Sequence, residues 1–423
     1  MSSDQSCNES LLAQFAAHLR TESYSEKNSR VYIAQARRFL EYLAKHNIAV
    51  ADTELTDVSR YLRNERQRYR RNHGHLPKSG YSLGSAQASS LHTLMRVIRG
   101  QWPPTAVPST PTEAFQRQIC QGYAQWLLTD RGLARETISG RRNEGERFLR
   151  WLSERGGSVR MPDLTCELVD AYMTSRASTL SRRSRKLMAC QLRSFLRYLH
   201  LTRRITRDIA RLVIAPKLYA LETIPSAFRD EEVRAIIESV RQDRSPKGLR
   251  DYAILLLLDT YGLRDLEVVR LQLEDVDWRT DRLYIRRSKT GSESSLPLLS
   301  TVGEAILAYL RNGRPETSRR EIFIRTLAPY RRLSSLYQMI QGRLTQANIH
   351  PTGKHGAHAF RHARAVSLLR AHVPLKQIGD ILVKQIGDIL GHRSAASTMI
   401  YLKLATADLR AVSLEIPVEV TSS

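Results

Sequence analysis

Apolar residues recur at three- and four-residue intervals over most of the 423-residue chain, a period that predicts amphipathic helices. Phe39-Leu40-Glu41-Tyr42-Leu43 lies on one such stretch, and Phe148-Leu149-Arg150-Trp151-Leu152 repeats its pattern 109 residues later. Val58-Ser59-Arg60-Tyr61-Leu62 matches Val169-Asp170-Ala171-Tyr172-Met173 at an offset of 111. Each copy then ends in a basic helix, over 85–99 and 181–198. The first half therefore reads as two copies of one small helical domain. Beyond residue 226 the pattern changes. Ser226 introduces a helix over 229–240, and 251–259 is a strongly apolar, buried helix that ends at Gly262. Residues 281–287 and 294–298 read as strands joined by Lys289-Thr290-Gly291-Ser292. Helices follow over 301–310, 333–347, 359–371 and 394–404. The predicted fold class is mainly α with a small antiparallel β-sheet in the C-terminal domain (α+β).

Two breaks divide the chain. Residues 103–112 (PPTAVPSTPT) hold four prolines and four Ser/Thr, the composition of a stiff, solvated spacer. A weaker break covers 216–225. The expected organisation is an N-terminal helical module (1–102), the Pro-rich linker, a second helical domain (113–215), the second linker, a C-terminal domain (226–415) and a tail (416–423). Charge gives this layout its meaning. Lys and Arg total 66 against 42 Asp and Glu, a formal charge of +24, and the pI is near 10.3. A fold of this size has no structural need for that excess, and its usual partner is a polyanion. The longest apolar run, Ala253 to Leu258, is far too short to span lipid, and Met1-Ser2-Ser3-Asp4-Gln5 lacks the features of a signal peptide. Cys7, Cys120, Cys166 and Cys190 are scattered and form no CxxC pair, as expected of reduced thiols in a cytoplasmic protein.

Basic residues cluster in both modules: Arg66, Arg68, Arg70 and Arg71 in the first, Arg182, Arg183, Arg185 and Lys186 in the second. A solvated helix face accounts for either run; two features favour DNA. The second run follows Ser178-Thr179-Leu180-Ser181, a predicted N-cap, which sets it at a helix N-terminus, where phosphates bind. The helix dipole disfavours cations there, so an external anion is the simpler explanation.

A second group of residues suits phosphoryl transfer. Arg264 lies in Tyr261-Gly262-Leu263-Arg264-Asp265-Leu266-Glu267, and Lys289 sits at the strand turn. His358 and Arg361, at i and i+3, share a helix face. His392 follows Leu390-Gly391, and Tyr401 ends Thr398-Met399-Ile400-Tyr401. Guanidiniums clamp phosphate oxygens bidentately, a cation can protonate a leaving oxygen, and a tyrosine can form a covalent phosphoester. His355, His358 and His362 could suggest a metal, but no carboxylate or cysteine stands near them in sequence.

GLRxxE, the strand-turn lysine, HxxRH, LGH and TxxY occur here in this order, and in that order and spacing residues 226–410 resemble the catalytic domain of the tyrosine recombinase (phage integrase) family. Residues 113–215 resemble its core-binding helical (SAM-like) domain. The resemblance implies that Arg264, Lys289, His358, Arg361 and His392 surround a scissile phosphate, with Tyr401 as nucleophile and Glu267 in support. It implies a 3′-phosphotyrosyl intermediate without metal, nucleotide or other cofactor, and a homotetramer on double-stranded DNA, with accessory recombinases as a further class of partner. It suggests the integrase or transposase of a mobile element. One departure stands out. Lys376 to Leu382 (KQIGDIL) recurs unchanged as Lys384 to Leu390, so that Arg361 and His392 are 31 residues apart, and 23 without one copy. Continued as helix, eight extra residues would add about 12 Å and rotate the downstream chain by about 80°. Three readings are open: an active recombinase, a type IB topoisomerase-like relaxing enzyme, and a DNA-binding remnant disabled by the duplication.

Overall fold

In the computed structural model the described residues are 2–75, 83–104, 107–155, 161–218, 227–286, 293–351, 353, 355–371 and 373. They build three separate hydrophobic cores. The chain packs as two compact units, Met1–Pro104 with Thr223–Ser423, and Thr105–Glu222.

The first core is made by α1 (Ser2–Thr21), α2 (Glu26–Lys45), α3 (Leu55–His73) and α4 (Leu83–Arg99). The second is made by α5 (Pro111–Thr129), α6 (Arg135–Glu154), α7 (Cys166–Ala177) and α8 (Arg182–Leu201). The pairings repeat: α1–α2, α2–α4, α1–α4 and α3–α4 in one, α5–α6, α6–α8, α5–α8 and α7–α8 in the other. A short 3₁₀ turn precedes α3 at Val50–Asp52 and α7 at Met161–Asp163. The repeat extends to ring geometry. Phe39 meets Tyr61 edge-on with centroids 5.1 Å apart, and Phe148 meets Tyr172 in the same way at 5.1 Å. Both pairs are buried, so the sequence repeat marks the residues that close each core. Caps fix the starts. Ser25, Thr110 and Ser181 accept hydrogen bonds from the backbone N–H groups of Asn28, Glu113 and Ser184. Helix α5 thus begins inside the stretch expected to be spacer, because Thr110 caps it and Pro111 occupies its first turn.

The third core is centred on α10 (Pro246–Tyr261), which packs against α9 (Asp230–Arg241), α11 (Asp265–Val269), α12 (Ser300–Asn312) and α14 (Ala357–Arg370). Helix α13 (Tyr337–Gln346) lies against α9. The α9 start differs from expectation: Arg229, not Ser226, holds the N-cap position, and its backbone N–H donates to Glu232 Oε2 at 2.9 Å. The sheet is antiparallel in the order β1 (Val276–Asp277), β2 (Arg282–Arg286), β3 (Glu293–Pro297). Arg286 pairs with Glu293 at the end of the β2–β3 ladder, and Lys289 belongs to the chain between them, outside the described residues. One charged network ties this core together. Asp251, 0% exposed, accepts from Arg250 and Arg343, and Arg343 also donates to Asp243. A buried carboxylate is tolerable there because its lone pairs meet two guanidiniums.

Candidate functional site

The site is built where α10 ends. Gly262 caps α10 in the left-handed region (φ 59°, ψ 35°), and its N–H donates to Leu258 O. That turn aims the Gly262 carbonyl at α14, where Arg361 Nη1 donates to it at 2.6 Å. Arg361 is only 4% exposed. Arg264, two residues past the glycine, occupies the N-cap position of α11. A guanidinium cannot accept the helix N–H groups, so the capping is supplied by Glu267. One oxygen of the Glu267 carboxylate accepts the Arg264 backbone N–H and the other its Nη1, both at 2.8 Å. Glu267 is 8% exposed, while the Arg264 side chain retains 28% exposure. The carboxylate thus aims a guanidinium that still reaches solvent. The start of α11 is further pinned by Asp265, which accepts from Ser335 Oγ at 2.8 Å and from the Leu336 N–H.

His358 lies one turn before Arg361 on α14 and keeps solvent access. Desolvation on its inner side, then the charges of Arg361 and Arg264, hold its pKa below the ordinary histidine value; Asp265 and Glu267 pull the other way. Its imidazole is therefore neutral at pH 7, beside two fixed cations. His362 stacks behind it, centroids 6.4 Å apart and planes 28° apart. Burial, with His358 and Arg361 adding to it, lowers the His362 pKa to about 4. His355 faces elsewhere, its Nε2 sharing a hydrogen bond with Gln341 Oε1 at 2.9 Å. Among the described residues no three His, Cys, Asp or Glu side chains are grouped to hold a metal ion.

Four of the expected residues, Arg264, Glu267, His358 and Arg361, come together through α10, α11 and α14. Lys289, His392, Tyr401 and the repeated KQIGDIL segments lie outside the described residues. Sequence reasoning missed the Gly262 carbonyl as an acceptor and Asp265 as an anchor; Gly262 was visible only as a turn. In the second unit Ser181 caps α8 as expected. Arg182, Arg183 and Lys186 are exposed on its first turns, and Arg185 is half-buried. No acidic residue shares the first turn. Among the described residues no helix is long and apolar enough to cross a membrane.

Comparisons with known proteins place the chain as a whole. The profile of the phage integrase family matches residues 227–408. The chain is 32% identical over 411 residues to the predicted integrase/recombinase y4rA of Sinorhizobium fredii, covering 96% of this chain and 93% of that protein. It is 53% identical over 194 residues to y4gC of the same organism, also a predicted integrase/recombinase, covering 46% of this chain and 97% of the relative. In fold it is similar to the XerH site-specific recombinase bound to its difH substrate (TM-score 0.53, 14% identity, 84% of this chain and 93% of that one).

Proposed function

The chain belongs to the phage integrase family of tyrosine-type site-specific recombinases, and on that premise we propose that it cleaves and rejoins double-stranded DNA through a 3′-phosphotyrosyl intermediate. The observation that carries this reading is the bond from Arg361 to the Gly262 carbonyl, which ties α14 to the end of α10, where the charges of Arg361 and Arg264 both act on His358. Two fixed guanidiniums beside a neutral imidazole suit a pentacoordinate phosphate. In the proposed step Tyr401 Oη attacks phosphorus and its proton passes to His358, which desolvation and the neighbouring arginines keep neutral and able to accept it. The bond from phosphorus to the 5′-oxygen breaks, and Lys289 protonates that oxygen. Arg264, Arg361 and His392 neutralise the transition-state charge, with Glu267 as the positioning residue for Arg264. Attack by the 5′-hydroxyl of a partner strand reverses the step. Two duplexes carry four scissile phosphates, so the reading entails a homotetramer on DNA, with accessory recombinases able to share the work. Arg182, Arg183, Arg185 and Lys186 on α8 supply phosphate contacts. A cytoplasmic protein of a mobile genetic element, acting in integration or transposition, fits this chemistry.

The tandem KQIGDIL segment favours a second reading, in which the chain binds DNA but no longer cleaves it. Nicked suicide duplexes drawn from the DNA flanking the gene separate the two. The active reading expects an SDS-resistant adduct from the native chain and none from Tyr401→Phe. An adduct formed only after deletion of 383–390 supports the disabled reading. No adduct from any chain overturns the assignment of Tyr401.

A further inference from the structure

The two helical modules repeat each other's cores but not each other's charge. Aligning Tyr61 with Tyr172, α7 ends at Ala177 opposite Arg66, whereas α3 runs seven residues further, to His73. The extension, QRYRRNH, has no counterpart in α7, whose only basic residue is Arg176 beside Glu167 and Asp170. The reverse holds for the last helices. Leu91, Leu94 and Met95 of α4 match Leu192, Phe195 and Leu196 of α8, all buried. In that register the basic opening of α8, Arg182 to Lys186, falls opposite Tyr81-Ser82-Leu83-Gly84-Ser85, which carries no charge. The second module concentrates positive charge on its last helix; the first concentrates it on its third.

On α3 that charge forms one stripe. Val58 and Tyr61 are its buried residues. Arg63, Arg66, Arg70 and Arg71 point the other way, within about 140° of the helix circumference and about 12 Å of its length. All four are exposed. None of them forms an ion pair with a carboxylate of the described residues, whereas Arg60 and Arg68 pair with Asp57 and Glu65. A row of like charges held this close costs folding free energy unless a polyanion covers it. The spacing matches duplex DNA, which offers about one phosphate per 1.7 Å of axis.

We infer that the outer face of α3 is a second duplex-binding surface, and that the first module grips DNA through a different helix from the one used by the second. The inference rests on the DNA reading above and deepens it. The two modules are then not interchangeable grips on equivalent half-sites. A chain bound through α8 engages further phosphates through α3.

The test is the salt dependence of binding by the full chain to a duplex of about 40 bp, from about 50 to 200 mM salt, because log Kd changes by about 0.9 per log unit of salt for each neutralised phosphate. Three proteins are compared: the native chain, Arg63→Gln/Arg66→Gln/Arg70→Gln/Arg71→Gln on α3, and Arg182→Gln/Arg183→Gln/Lys186→Gln on α8. The substituted residues are exposed and, on α3, mutually repulsive, so thermal midpoints should not fall below native. The α3 variant is expected to lower the slope by about 3 to 4, and the α8 variant by about 3. An α3 variant with a slope within about 1 of native, beside an α8 variant that loses slope, overturns the inference and leaves the recombinase reading standing. A native chain that does not bind duplex DNA overturns both.

Discussion

Removing the Glu267 carboxylate tests whether Arg264 is aimed by its neighbour or simply lies beside it. Glu267→Ala deletes two bonds of 2.8 Å, one capping α11 through the Arg264 N–H and one holding the guanidinium. Loss of the cap costs about 1 kcal/mol, and loss of a charge-assisted bond in a site 8% exposed about 1.5–3 kcal/mol. The expected destabilisation of this core is therefore about 2–4 kcal/mol. Because Arg264 is only 28% exposed, it cannot recover full hydration, and its guanidinium should turn toward solvent. A displacement of about 1 Å at a phosphate clamp lowers the chemical rate by about 10²-fold. Glu267→Gln keeps one acceptor for the backbone but sets an amide donor against the guanidinium. It should fall by about 10-fold in rate, with stability within about 1 kcal/mol of native. The rate is read as adduct formation on the suicide duplex, in whichever of the native and 383–390-deleted chains reacts. Local stability is read from hydrogen exchange of the α10 and α14 amides, which isolates this core from the other two. Native-like exchange in Glu267→Ala, with an adduct rate within about 3-fold of native, would refute the positioning role.

Three further outcomes are expected from the same contacts. Asp251→Ala leaves Arg250 and Arg343 buried without their carboxylate; faster exchange across α10 should report a loss of about 3–5 kcal/mol. Gly262→Ala places a side chain at φ 59°, which costs about 1–2 kcal/mol and shifts the carbonyl that holds Arg361; a lower thermal midpoint and a slower adduct are expected together, and an unchanged adduct rate would argue against the link. For His362 the folded pKa of about 4 lies below an unfolded value of about 6.5. The folded state therefore favours the neutral ring, and stability is intact above pH ~6.5 and lost as pH falls toward ~4. Allowing for partial exposure, about 1–2 kcal/mol should be lost between pH ~7 and ~5. The urea midpoint of His362→Gln should show less of this fall, and an identical fall would assign it to other groups.

Much of the fold is legible where a local signal controls it. The heptad-like spacing gave the helices of both modules, and Phe39, Tyr61, Phe148 and Tyr172 were readable as repeats because burial restricts what can stand there. Ser181 and Gly262 were readable as helix ends for stereochemical reasons. Boundaries slipped where tertiary contacts decide them. Helix α13 starts at Tyr337 rather than at 333 because Asp265 takes the Ser335 hydroxyl and the Leu336 N–H. Helix α10 starts at Pro246, five residues before the expected start at 251, and the signal for it is local: Ser245 accepts the Gly248 N–H and proline fills the first turn. At the site, motif order led to Arg264, His358 and Arg361. The acceptor that ties Arg361 to the end of α10, Gly262 O, lies 99 residues from it and has no side-chain signature at all.

The place of the duplication in the chain separates the two readings of function. Arg361 is fixed to the end of α10 by a buried bond, and Arg264 is fixed to α11 by Glu267. All three helices share one core. Every one of these contacts is made by residues up to 361, whereas the repeated segment begins at Lys376, after α14 has ended at Arg370. In sequence, an insertion there lengthens the connection to His392 and Tyr401 and changes none of the residues that make these contacts. Packed interiors resist strain, and an added stretch of chain outside them closes at a cost that grows only slowly with its length. On the proposed reading the contacts that set Arg264 and Arg361 are therefore expected to hold whichever copy of KQIGDIL is taken as the insertion, and the risk falls on Tyr401. In physical terms the active and disabled readings differ only in the delivery of Tyr401, so they should share DNA affinity and its salt dependence while differing in the covalent adduct.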